Sequence, residues 1–199
     1  MVCACALTIL LILYILFDVN YFLRCAFTVL SGRLLRKKNN SIFDVTTTYG
    51  ICSTQDVDLV LKHMNNARYL RELDFARFYF WDSVGLYGEI SKRGGGVVQG
   101  AMSTRYRRAI PLLTPYKITT KMIYWDEKNL YLEHQFISLT DGFIRAVGLS
   151  KQTTFGLKVP LGDVIKELEP EAKLPEVTKE LQLWMDSMEQ SSQKLKKRD

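Results

Sequence analysis

The chain has 199 residues, of which 47% are hydrophobic and 24% are charged, and its formal net charge is +6. This apolar content excludes an intrinsically disordered chain, and the length allows one domain of ordinary size with accessory segments. Cys52 is the only one of the four cysteines beyond residue 25, so the globular part cannot close an internal disulfide and needs no oxidising compartment.

The positive charge is concentrated near the N-terminus. Residues 1–38 hold five basic residues and one acid, Asp18, which is +4 of the total +6. A nucleic-acid-binding protein would spread basic side chains over its folded surface, because phosphate binding sums over many contacts. We therefore expect no nucleic-acid partner, and we interpret the basic cluster as the flank of a membrane segment.

Residues 2–17 form an apolar run without a charge, and extension to Phe22 or Leu23 reaches the roughly 20 residues of a spanning helix. The run lacks the preceding basic residues and following small residues of a signal peptide, so an uncleaved anchor is favoured over secretion after cleavage. The basic cluster Arg33–Lys38 follows the run, which predicts a cytosolic domain. The segment Tyr21–Leu35 is predicted to lie along the membrane surface with its basic side chains toward anionic lipid.

The C-terminus carries a second indication of location. Lys196 and Lys197 occupy the fourth and third positions from the end, the spacing of a dilysine signal for return to the endoplasmic reticulum. Together with the N-terminal pattern, this predicts the endoplasmic reticulum membrane with a cytosolic domain. The alternative to the dilysine signal is a basic tail that is only solvated. The alternative to membrane anchoring is secretion of the chain after signal-peptide cleavage.

From residue 39 onward the pattern is that of an α+β domain. A β-branched and aromatic stretch predicts a strand over 44–52, and apolar residues at three- and four-residue spacing predict a helix over Asn65–Val84. The apolar face of this helix is so wide that a sheet must curl around it. Four antiparallel strands are then predicted at 97–110, 116–125, 130–139 and 143–155, and two short helices at 161–168 and 176–188.

The predicted domains are an N-terminal anchor with its basic flank (1–38), the α+β domain (39–158) and a helical tail (159–199).

One segment combines several chemically useful side chains directly before the long helix. Asp56, Asp58, His63, Asn65 and Asn66 fall within eleven residues. A carboxylate can act as nucleophile or general base, and the free N–H groups at a helix N-terminus can hold a developing oxyanion. Acids and amides before a helix are also common as caps and turns, so composition alone leaves both interpretations open.

The segment DVDLVLKHMNNARYLRELDFAR resembles the D-x-D…H-x-N-N-A-x-Y motif of hotdog thioesterases of the 4-hydroxybenzoyl-CoA type. The predicted order of elements matches that family from about Asp44 to Phe155. The resemblance implies a hotdog fold, an antiparallel sheet curled around one long central helix, and a homodimer paired edge to edge. It also implies that acyl-CoA or another acyl thioester binds between subunits, with the catalytic carboxylate of the family on Asp56. The candidate catalytic residues are therefore Asp56, Asp58 and His63, and the candidate substrate-binding residues are Asn65 and Asn66.

The sequence departs from the family in the loop of this motif. Four residues separate Asp58 from His63 where the family usually has three, and Lys62 stands where many members have glycine. This leaves open which of Asp56 and Asp58 is the key carboxylate. It also leaves open an alternative function, a non-catalytic protein that binds acyl lipids or serves as a scaffold. The acyl chain length cannot be read from the sequence.

Other candidate sites are weaker. His134 lies between apolar residues of a predicted strand, which is typical of a histidine packed in the core. Two histidines and one domain cysteine offer no metal-ligand spacing, and no glycine-rich phosphate loop occurs, so neither a metal nor a cofactor is expected.

Overall fold

A computed structural model describes residues 2–36, 39–60 and 62–196 of the chain. The elements in chain order are α1 (Val2–Leu16), α2 (Val19–Leu35), β1 (Thr46–Ile51), α3 (Asn66–Val84), α4 (Leu86–Lys92), β2 (Gly96–Tyr106), β3 (Pro115–Trp125), β4 (Asn129–Ser138), β5 (Ile144–Phe155), α5 (Leu161–Leu168) and α6 (Lys179–Lys196). Each predicted strand is present within a few residues of its predicted bounds. The short helix α4 was not predicted, since seven residues are too few to show a helical period.

The five strands form one antiparallel sheet in the order β1-β3-β4-β5-β2. β4 is the central strand, and β1 and β2 are the two edges. Alternate residues of the inner strands are buried, as in a sheet with one face toward a core. That core contains α3, so the predicted sheet curled around one long helix is confirmed.

Helix α3 begins and ends where its sequence predicts. The side chain of Asn65 caps it by accepting a hydrogen bond from the backbone N–H of Ala67 at 2.9 Å, and Gly85 ends it with φ of +75°. The buried side of α3 includes Tyr69, Leu73 and Phe80, each at most 2% exposed. These residues bury apolar area against the sheet, which stabilises a fold of this kind by about 1.5–3 kcal/mol for each large side chain.

His134 is a core residue, as its sequence context predicts. It is fully buried on β4, with its two ring nitrogens at 2.9 Å from the hydroxyls of Thr120 and Ser150 on the neighbouring strands. Burial lowers the pKa of His134 to about 3, so the ring is neutral at physiological pH.

The N-terminal apolar run does not form one continuous helix. Helix α1 ends at Leu16 because Asp18 caps a new helix, α2, by accepting a hydrogen bond from the N–H of Tyr21 at 3.1 Å. In the described part of the chain, no helix combines the length and the apolar character that crossing a membrane requires. The predicted N-terminal membrane-spanning helix is therefore not supported.

Helix α2 packs on α3 rather than presenting its arginines to lipid. Arg24 pairs with Glu72 of α3, while Arg33 and Arg36 both pair with Asp82 of α3. The predicted orientation of these arginines toward anionic lipid is wrong, because carboxylates of α3 hold them. Lys37 and Lys38, also in the predicted basic cluster, lie outside the described residues.

The C-terminal segment contributes to the core. Leu161, Val164 and Ile165 of α5 are at most 1% exposed and join the cluster around Phe80. Helix α6 ends at Lys196, while Lys197 of the predicted dilysine signal lies outside the described residues. The domain boundaries at 38/39 and 158/159 stay a prediction.

Candidate active site

Four of the five predicted site residues lie on a short antiparallel ladder, and the fifth, Asn66, is the first residue of α3, which follows it. The N–H of Asn65 donates to the carbonyl of Asp56 at 2.8 Å, and the N–H of Asp58 donates to the carbonyl of His63 at 3.0 Å. Val57 and Met64 are bridge partners between them. Because opposite residues of an antiparallel pair share a face, Asp56, Asp58, His63 and Asn65 lie on one face, while Val57 and Met64 face the core.

Asp56 is only 2% exposed, and both oxygens of its carboxylate accept hydrogen bonds. Its Oδ2 accepts hydrogen bonds from the N–H and the hydroxyl of Ser53, both at 2.8 Å. Its Oδ1 accepts from Nε and an Nη of Arg68, at 3.1 and 2.9 Å. Burial alone would raise the pKa of Asp56, but the hydrogen bonds from Ser53 and Arg68 outweigh it and hold the pKa below its ordinary value. Asp56 is thus a weakly basic anion with both oxygens occupied.

Asp58 and His63 face each other across the ladder, and both are half-buried. His63 Nδ1 lies 3.1 Å from the carbonyl oxygen of Met64. A carbonyl can only accept, so in a neutral ring this bond places the proton on Nδ1 and leaves Nε2 with its lone pair. The ladder therefore joins a carboxylate and an oriented imidazole directly before the start of α3.

The N-terminus of α3 supplies a hydrogen-bond donor next to these groups. Asn65 satisfies the N–H groups of Ala67 and Arg68 through its side chain and its carbonyl. Among the described residues, the N–H of Asn66 has no acceptor. Tyr106 on β2 donates from its hydroxyl to the carbonyl of Asn66 at 2.9 Å and fixes this first turn. A free N–H at the positive end of a helix is suited to bind a developing negative charge.

The extra residue in the motif forms a protruding loop. Leu59 is 95% exposed and Val60 is 83% exposed, while Lys62 adopts a left-handed backbone with φ of +51°. The loop is anchored where it returns, because the N–H of Leu112 donates to the carbonyl of Lys62 at 3.1 Å. The insertion therefore bulges outward between Asp58 and His63 and leaves the ladder intact. Leu61, within this loop, lies outside the described residues.

A cavity of about 830 Å³ adjoins Asp56 on the side covered by α2. Its walls come from α2, β1 and α3, and its polar centre is Glu72, which is only 2% exposed. Glu72 accepts hydrogen bonds from Arg24 and from the hydroxyl of Tyr116. Sequence reasoning missed Glu72, although its position three residues after Tyr69 and four before Ala76 puts it on the buried stripe of α3. Within the described ranges, no three His, Cys, Asp or Glu side chains are placed to hold a metal ion.

Comparisons with known proteins identify the family of the chain. A model of the thioesterase-like superfamily matches residues 52–185. The Drosophila melanogaster protein THEM6 is 57% identical over 191 residues, which cover 96% of this chain and 97% of that protein. The solved structure of the "Probable Thioesterase" YbaW from Escherichia coli is 25% identical with a TM-score of 0.53, covering 61% of this chain and 94% of YbaW. SAV2348 from Staphylococcus aureus, solved in complex with CoA, is 15% identical with a TM-score of 0.52, covering 72% of this chain and 96% of that one, which shows the shared fold. The chain therefore belongs to the thioesterase-like superfamily and has the hotdog fold.

Proposed function

We propose that this chain hydrolyses acyl thioesters, with acyl-CoA as the substrate class and Asp58 as the reacting carboxylate. The observation that carries the proposal is the ladder, which joins Asp58 and His63 directly before the free N–H of Asn66. Thioester hydrolysis needs a base for water and a donor for the carbonyl oxygen, and this arrangement offers both. The CoA complex of SAV2348 supports CoA as the thiol carrier.

Asp58 suits the reaction better than Asp56, on which the family motif places the catalytic carboxylate. Asp56 is only 2% exposed, and the hydrogen bonds from Ser53 and Arg68 lower its pKa, which makes it a poor proton acceptor. Asp58 lies two residues further along, on the same face of the ladder and without full burial. We therefore assign Asp56 to holding Arg68 and the loop in place.

The reaction follows from these positions. Asp58 accepts a proton from a water molecule as that water attacks the thioester carbonyl carbon. The carbonyl oxygen becomes negative and receives the hydrogen bond from the N–H of Asn66, strengthened by the dipole of α3. The C–S bond then breaks, the protonated Asp58 gives the proton it took from water to the leaving thiolate, and the products are a carboxylic acid and a free thiol. His63 orients the loop through its contact with Met64.

The test is thiol release by the full-length protein in detergent or vesicles, over acyl-CoA substrates from two to eighteen carbons. Asp58→Asn keeps the side-chain shape but removes the base, so kcat is expected to fall by about 10²- to 10⁴-fold. Asp56→Asn, measured below its unfolding temperature, is the matched control and is expected to keep most of the activity. Reversal of these two results would assign the chemistry to Asp56. If the wild-type chain releases no thiol from any substrate while still binding acyl-CoA, it is an acyl-lipid binder.

A homodimer is the second part of the proposal. Strand β2 is an edge strand eleven residues long, paired only with β5, so one row of its backbone groups is available to a second copy. Sedimentation of the full-length protein tests this pairing. Proline at Val98, near the start of β2, is expected to shift a dimer toward monomer.

Attachment to a membrane is the third part. The described large apolar side chains of α1, from Leu7 to Leu16, are 43–70% exposed. An exposed helix of this kind is stable against lipid without having to span the bilayer. We assign the chain to the surface of the endoplasmic reticulum membrane, with its folded domain in the cytosol. Flotation with vesicles of the full-length chain, compared with a chain that starts at Asp18, tests the attachment.

A further inference from the structure

One end of the sheet carries several exposed apolar side chains. Strands β1, β2 and β4 end there and β3 and β5 begin there, as their registers show. The loop between Asp58 and His63 and the turn before β3 both lie at this end, which we call the site end. Leu59 and Val60 of the loop are 95% and 83% exposed, and Leu113 of the turn is 68% exposed.

Two residues at the site end adopt an unfavourable backbone conformation. Lys62, with φ of +51°, and Leu113, with φ of +60°, are the two non-glycine residues with positive φ in the described part of the chain. Each is fixed by backbone hydrogen bonds, from the N–H of Leu112 to Lys62 at 3.1 Å and from the N–H of Leu113 to Cys52 at 2.7 Å. Strain that the surrounding structure maintains at a surface indicates a function for that surface.

Basic side chains accompany the apolar ones. Lys62, Arg107 and Arg108 are exposed at the same end, and both arginines lie over the ring of Phe143 at 4.8 and 4.2 Å. Exposed apolar side chains with a basic rim are the composition of a surface that binds anionic lipid.

The apolar helix α1 joins the fold at this end. Asn20, in the first turn of α2, donates to the side chain of Gln55 at 2.5 Å, and Asp18 pairs with Arg71 of α3. The junction between α1 and α2 is therefore held beside the segment that leads to Asp56. A bilayer that receives α1 lies within reach of the site end.

We propose that the site end docks on an anionic bilayer, with Leu59, Val60 and Leu113 inserted among the lipid headgroups. Leu59, Val60 and Lys62 then rest on the membrane, and the substrates are long-chain acyl thioesters that partition into it. This substrate class rests on the proposed thioesterase activity, whereas the docking stands independently of it. It also gives a role to the extra residue, which lengthens the loop that carries the apolar side chains.

The docking is tested with the full-length protein on vesicles of phosphatidylcholine and phosphatidylserine that contain brominated acyl chains. Val60→Trp adds a reporter at the loop, and Leu183→Trp, at a 61% exposed position on α6, is the matched control. Relative to the wild type, the added emission of Val60→Trp is expected to be quenched by bromine and that of Leu183→Trp is not. Equal quenching in the two variants, or none, overturns the docking. If the emission of Val60→Trp changes with protein concentration but is not quenched by bromine, the surface binds a second copy of the chain and the docking on lipid is overturned.

Measurements of thioester hydrolysis distinguish the proposed membrane docking from the proposed thioesterase activity. The double variant Val60→Ser/Leu113→Ser is expected to raise KM for an eighteen-carbon acyl-CoA on vesicles by about tenfold, because apolar contacts with lipid are lost. The kcat/KM for a water-soluble two-carbon substrate is expected to stay unchanged. If Val60→Trp is quenched but no thioester is hydrolysed, docking stands and the proposed activity fails. If both substrates are hydrolysed equally well by the double variant, the membrane-delivered substrate class fails.

Discussion

Arg24 of α2 and Glu72 of α3 form a bidentate ion pair, with two nitrogen–oxygen distances of 2.7 Å. Glu72 is only 2% exposed, and the hydroxyl of Tyr116 donates a third hydrogen bond to it at 2.7 Å. A buried carboxylate needs such partners, since an unpaired charge is costly in a poorly solvated place. The N-terminal segment is therefore attached to the folded domain through a charged contact inside a cavity.

Removal of Arg24 alone is expected to destabilise the protein. Arg24→Met leaves Glu72 buried with Tyr116 as its only described partner, so the free energy of unfolding is expected to fall by about 3 kcal/mol. The double change Arg24→Met/Glu72→Met removes both charges and is expected to recover most of that loss. Denaturant unfolding of the full-length protein measures both values.

Arg33→Met is the matched control on the same helix. Arg33 pairs with Asp82, but its side chain is 61% exposed and solvent screens the pair, so its loss is expected to cost much less than the loss of Arg24. Equal destabilisation by the two single variants would contradict a special role for the buried pair.

Asp56 is expected to contribute to stability above pH 4. Its folded pKa is lowered, so its contribution is present above the unfolded pKa of about 3.9 and is lost as the pH falls through the folded value. Asp56→Asn is expected to cost about 3 kcal/mol at pH 7, because Arg68 and Ser53 lose a buried anion. The difference between the two proteins should shrink below pH 4. Thermal unfolding from pH 7 to pH 3 measures it, and a difference independent of pH would contradict the ion pair with Arg68.

The elements of the fold were predictable because their signals are local. Helix α3 carries an N-cap at Asn65, a stripe of apolar residues and a glycine at its end, and the strands alternate between turn signals. The break between α1 and α2 was missed, since Asp18 was interpreted as a polar residue inside one apolar helix rather than as a cap. The partners of Arg24, Arg33 and Arg36 lie about fifty residues away, and no local pattern reveals them.

The site was predictable as a set of residues but not as an arrangement. The motif singled out five residues. The ladder joins Asp56, Asp58, His63 and Asn65, and Asn66 begins the helix that follows. The hydrogen bonds that hold Asp56 come from Arg68 and Ser53, which the motif spacing does not identify as partners. The outward bulge of the loop depends on backbone contacts with Leu112 in a distant turn.

The proposed location gives a prediction in cells. Lys196→Ser/Lys197→Ser is expected to let part of the protein leave the endoplasmic reticulum, because a dilysine signal needs both lysines. Lys194→Ser removes one basic side chain of the same helix and is the control. Fluorescence microscopy of the full-length chain measures the distribution. Unchanged distribution of the double variant would make the tail a solvated basic segment, and sugar on Asn39, in the sequon Asn39-Asn40-Ser41, would reverse the proposed orientation.

The buried His134 is expected to make the fold sensitive to mild acid. Burial lowers its folded pKa from 6.5 to about 3, so between these values the unfolded chain binds a proton that the folded chain does not. Stability is therefore full above pH 6.5 and falls as the pH drops toward 3, by up to about 1.4 kcal/mol per pH unit. His134→Gln keeps polar contacts with Thr120 and Ser150 but cannot titrate. Between pH 6 and pH 5, where few carboxylates titrate, the wild type is expected to lose about 1 kcal/mol more than this variant. Denaturant unfolding at the two pH values measures the difference, and parallel losses would mean that His134 accepts its proton without unfolding.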